Sequence, residues 1–168
     1  MADQQSSEYD FKLVVTETKD VGLDKAANPP LVHTLGRHAG TLTASTSIPV
    51  KKTYSDTIPL VAGSASIDLT NLPGPLSTTI TFSGLKVQQL KIVCPDTNSG
   101  GITFDVAIAN GYNLFGADNA SDESVEVMPG ALIQMQHNNN IEDVDATHKA
   151  ITVTGTGTDT FDIILTAG

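Results

Sequence analysis

The chain has a single cysteine, Cys94, and no tryptophan. One thiol cannot close an intramolecular disulfide or supply a multi-thiolate zinc site. Cys94 lies in the apolar run Leu90-Lys91-Ile92-Val93-Cys94 and reads as a small buried hydrophobe. Tryptophan is the usual stacking platform of sugar-binding faces, so its absence weakens a carbohydrate-binding reading. Basic residues are also scarce: 9 Lys and Arg stand against 19 Asp and Glu, a formal charge of -10. Only Lys51 and Lys52 adjoin one another. Such a chain has no basic stripe for a phosphate backbone, which argues against a nucleic-acid partner.

Long apolar runs are absent as well. None approaches the ~20 residues of a membrane-spanning helix, so no membrane partner is expected. Residues 1–8 are polar and acidic, unlike a secretory signal, and imply synthesis and folding in a host cytoplasm. No window shows convincing helical periodicity.

What the chain does have is threonine, glycine, proline and alternation. Phe11, Leu13 and Val15 share one face of an extended segment from Tyr9 to Thr18. Asn28-Pro29-Pro30 marks a loop, Gly36 to Gly40 reads as a turn, and Thr41 to Ser47 as an edge strand or arm. Pro49 and Pro59 confine Thr53 to Val61 to an edge or irregular pairing. From residue 61 the pattern tightens. Strands are expected at Ser64–Leu69, Thr78–Phe82, Leu85–Cys94, Ile102–Ala109, Tyr112–Phe115, Ser124–Met128, Ala131–Gln136, Lys149–Thr154 and Thr160–Thr166. Asp96 to Gly101, Asn110-Gly111, Pro129-Gly130 and Gly155 to Thr158 separate them as turns.

Turn signals about every 8–14 residues predict an all-β domain, a jelly-roll-like β-sandwich of about seven to eight strands. It would span residues 61–168, behind an extended N-terminal arm or hairpin over 1–60.

Residues with chemical potential are dispersed. His33, His38, His137 and His148 have no short metal spacing. No G-x-S-x-G elbow occurs, and no spacing selects a carboxylate pair among the acids. Asp118 to Glu123 and Glu142 to Asp145 offer oxygen ligands for calcium, but Ala120 occupies a ligand position in the first. These patterns imply no catalytic residues, no metal and no cofactor. Tyr112 and Asn113, in Asn110-Gly111-Tyr112-Asn113, are the candidate contact residues for a ligand or partner, with Tyr112 read as an exposed aromatic.

The order of elements resembles small β-structured virion proteins of tailed phages. The resemblance runs from Ile67-Asp68-Leu69-Thr70 through Leu85 to Leu90, Gly111 to Gly116 and Val127 to Ala131. It continues through Ala146 to Val153 and the terminal Phe161 to Gly168. It implies a capsid decoration or cement protein, often a homotrimer, whose partners are the major capsid protein and itself. It carries over no catalytic residues and does not reach residues 1–60. A carbohydrate-binding module, or a tail or head-fibre component, is the alternative.

Overall fold

The structure, a computed structural model, describes residues 6–17, 31–106, 108–115, 124–137 and 140–168. It is all-β, and its one helical feature among the described residues is a 3-10 turn at Pro75–Ser77.

Two long strands open the chain. β1 (Ser6–Glu17) and β2 (Leu31–Thr43) form an antiparallel hairpin. Eight further strands build the body. In chain order they are β3 (Lys52–Pro59), β4 (Ser64–Asp68), β7 (Val87–Val93) and β8 (Ile102–Asp105), then β9 (Ser124–Val127), β10 (Leu132–Gln136), β11 (Ala150–Thr154) and β12 (Thr160–Ala167). Between β4 and β7, β5 (Leu72–Pro73) and β6 (Thr79–Ile80) form a small antiparallel clip.

The body strands pair as a nested set. β8 pairs with β9, β7 with β10, β4 with β11 and β3 with β12, all antiparallel. This long double ribbon closes on itself because β12 also pairs with β7, and β11 with β8. Two four-stranded sheets result, ordered β10-β7-β12-β3 and β4-β11-β8-β9.

Alternation explains how the sheets meet. Leu90 and Ile92 of β7 are buried with Phe161, Ile163 and Leu165 of β12. Ile67, Ile102, Phe104, Ile151 and Val153 of the second sheet join the same core. Phe104 and Phe161 meet edge to face, with centroids 5.1 Å apart and planes at 85°. Between these residues, polar side chains such as Thr103, Asp105, Thr152 and Thr154 occupy the less buried outer positions of the second sheet. Cys94 is buried and makes no disulfide within the chain.

Four sequence expectations need correction. The compact region does not begin at residue 61. β3 pairs along its whole length with β12, and Tyr54 is buried. Val50 is also buried, and Lys51 donates its N–H to the Ala167 carbonyl. The arm therefore ends before residue 50. Pro59 closes this strand at the sheet edge, where a missing N–H costs no ladder bond.

Gly36 to Gly40 is not a turn but part of β2. Phe11 faces His38 and Leu13 faces Leu35, so Gly36 and Arg37 together oppose Lys12. The turn-like composition is absorbed as a β-bulge. The strand expected over Thr78–Phe82 shrinks to two residues. Tyr112–Phe115 is a turn entered through a parallel bridge between Gly111 and Ala150. Asn110 adopts a left-handed φ of 60° there, and a Cβ on Gly111 would lie 1.9 Å from the Val106 carbonyl oxygen.

Candidate functional site

The base of the hairpin lies against the outer face of the first sheet. Sheet alternation turns Leu90 inward and Gln89 and Lys91 outward. The Gln89 amide oxygen accepts hydrogen bonds from the Ser7 hydroxyl of β1 and from Thr166 Oγ1 of β12, the latter at 3.3 Å. Ser7, Glu8 and Tyr9 wall one side of a groove of about 230 Å³. The other wall is formed by β7, β10 and β12, including Lys91, Gln134, Met135 and Ile164. On the hairpin itself Tyr9 is paired with Gly40, and a Cβ there would meet the Tyr9 hydroxyl at 2.9 Å. The missing side chain lets the aromatic ring lie over the opposite strand.

Tyr112 is fully buried, which overturns its reading as an exposed aromatic contact. Its hydroxyl accepts the Val87 N–H at 3.0 Å and donates to the Glu142 carbonyl at 2.9 Å. The phenol thus ties β7 to the 140–148 loop and caps the end of the core. Burial, with the Glu142 and Asp143 charges, pushes its pKa far above the usual phenol value, although the Val87 N–H acts the other way. Asn113 donates its backbone N–H to Glu142 Oε1 at 3.0 Å. Its side-chain oxygen is buried without a partner among the described residues. The two residues singled out by sequence are therefore brought together, as supports for a loop.

That loop holds the densest set of charges. His148 lies between two carboxylates, Nε2 at 3.4 Å from Glu142 Oε2 and Nδ1 at 3.2 Å from Asp145 Oδ1. Asp145 Oδ1 also accepts the Thr147 N–H, the Thr147 hydroxyl and the His148 N–H at 2.7, 2.9 and 2.8 Å. These bonds hold the Asp145 carboxyl down at about 2. The Thr147 hydroxyl donates to Asp145 and lies 3.2 Å from His148 Nδ1. Asp143 pairs with Lys86 at 2.9 Å. Glu142 and Asp145 thus share His148, and Asp143 turns to Lys86. Among the described residues no group of three His, Cys, Asp or Glu side chains is placed to hold a metal ion.

The other histidines fall elsewhere. His33 and His38 lie in β2, opposite Val15 and Phe11. His137 follows β10. Burial lowers its pKa, outweighing the hydrogen bond to the Leu114 backbone. The acidic segment at 118–123 lies outside the described residues.

Sequence reasoning missed the groove. Ser7, Gln89 and Thr166 are far apart in the chain, and each looks like an ordinary outward residue of an alternating strand. No local signal marks their meeting.

No family model, curated protein or solved structure matches this chain.

Proposed function

We propose that this protein is a structural subunit of a phage virion, a decoration or cement protein whose arm ties it to its neighbours on the major capsid protein shell. The eight body strands are read as a jelly-roll sandwich. The support is their nested pairing about the β8–β9 connection, first strand with last and second with seventh, the order made by rolling up one long double ribbon. Closing the ribbon this way gives a small rigid body with one core, suited to sitting on a surface.

The observation that carries the functional reading is the hairpin. β1 and β2 run 12 and 13 residues and make their main contacts with one another. A lone two-stranded hairpin is marginal in water. Its register nevertheless sets Leu13 opposite Leu35 and pairs valine with threonine at Val14–Thr34 and Thr16–Val32. A segment of that kind gains stability from a further surface, as in strand addition to a neighbouring subunit. Closure into a ring, with a trimer as the expected state, would cover the free edges. The charge of -10 favours solubility before assembly. A virion location follows from this reading, with no enzymatic role.

The carbohydrate-binding alternative loses its platform with the burial of Tyr112.

Two measurements test the proposal. Antibody detection on purified particles of the encoding phage should find the protein in fixed, many-copy stoichiometry. Its absence from those particles would sink the virion reading. The absolute mass by light scattering should correspond to a closed oligomer, and a chain lacking residues 1–47 should be a folded monomer.

A further inference from the structure

We propose that β10 is the acceptor edge for the arm of a second copy of this chain, with β2 as the strand that adds to it. This deepens the arm reading above and rests on it.

The two main sheets have four edge strands, β3, β4, β9 and β10. Natural edges are guarded by charge, proline or bulges. β3 carries Lys52, Asp56 and Pro59, β4 carries Asp68, and β9 carries Glu126. β10, Leu-Ile-Gln-Met-Gln, has neither charge nor proline. Leu132 at its start is 58% exposed.

The register shows which backbone groups of β10 are open. His137 donates to the Gln88 carbonyl and Cys94 donates to the Ala131 carbonyl, in line with the β10–β7 pairing. Hydrogen-bonded pairs then recur at Ile133 and Met135, whose N–H and C=O groups face β7. Those of Leu132, Gln134 and Gln136 face away from it, and β10 has no second strand among the described residues. This is a five-residue template for strand addition.

Charge and reach select the occupant. The body, residues 44–168, carries 13 acids against 5 lysines. β2 carries no acid and includes Arg37, His33 and His38, whereas β1 contains Glu8, Asp10 and Glu17. β2 is therefore the hairpin edge that an acidic body accepts with less repulsion. Twelve residues of strand span about 40 Å, and a folded body of this size is about 35 Å across. A hairpin anchored over one subunit thus reaches the next. Its base is fixed beside β10 itself, since Ser7 and Tyr9 share the groove with Gln134 and Met135. A repeated head-to-tail contact of this kind closes into a ring when its rotation divides a full turn.

The test uses the full chain with benzoylphenylalanine, a photoreactive residue, in place of Leu132, mixed with isotope-labelled unmodified chain. Irradiation should join residue 132 to labelled peptides within residues 31–43, as read by mass spectrometry. Adducts confined to the unlabelled chain's own hairpin, adducts to another segment, or none would each overturn the proposal. Gln134→Pro, which removes an outward N–H and spares the β7 ladder, should lower the light-scattering mass to that of one chain with its circular dichroism unchanged. An unchanged oligomer with that variant would also overturn it. Particle binding is scored separately. Exchange without shell binding would remove only the virion reading, and shell binding without exchange would remove only the β10 contact.

Discussion

Tyr112 shows how one side chain holds an end of the fold. Its hydroxyl satisfies a buried N–H of β7 and a carbonyl of the 140–148 loop. Tyr112→Phe keeps the ring but leaves the Val87 N–H unpaired, so denaturant unfolding should show a loss of about 1–3 kcal/mol. A value near zero would mean that solvent reaches that N–H. Asp145 gives a second prediction at this scale. Its carboxyl is held at about 2 by the Thr147 and His148 donors, below an unfolded value of about 3.9. The folded state therefore binds its proton less readily than the unfolded chain does. The resulting stability is fully present above about pH 4 and is lost as the pH falls toward 2. Asp68 acts in the same direction. Burial raises its pKa, but the Thr70 hydroxyl and N–H and the Lys149 ammonium bring it below the usual range. Denaturation midpoints should fall on acidification, and Asp145→Asn should flatten part of that fall. An identical acid limb in the variant would exclude Asp145 as a source.

Among the elements, the contact between sheets rests on β8 and β12. Phe104 and Phe161 are both fully buried and cross-packed. Phe104→Ala should cost about 3–5 kcal/mol in unfolding free energy, the range for emptying an aromatic site in a packed core. A double-mutant cycle with Phe161 should return a coupling of about 0.5–1.5 kcal/mol. A coupling of zero would place the two rings out of contact. Most of these strands are legible from sequence, because Phe161, Ile163 and Leu165 or Ile151 and Val153 alternate with outward residues. The exceptions have local causes. Tyr112 to Phe115 has strand composition but no strand to pair with, and is bent by the left-handed Asn110 and the crowded Gly111. Gly36 to Gly40 has turn composition but a strand opposite it, and the bulge accommodates both.

For the whole molecule, the boundary between arm and body decides how truncations behave. A chain lacking residues 1–47 retains β3 and should stay folded by circular dichroism, as a monomer. A chain lacking residues 1–60 loses the eight-residue partner of β12 together with Val50 and Tyr54. It should aggregate or unfold at lower denaturant. Equal stability of the two would show β3 to be dispensable.

The sequence by itself determined the class. Period-two alternation and frequent turn residues leave an all-β chain. These are local properties, readable within a few residues. The tertiary structure alone decided the rest. Pairing joins residues as distant as Lys52 and Ala167, and no periodicity names a strand's partner. It moved β3 from the arm into the body and took Tyr112 from a surface candidate to a buried cap. It also brought Ser7, Gln89 and Thr166 together under the hairpin. Burial and register depend on which strands lie side by side, and that is set by the closing of the whole ribbon on one core.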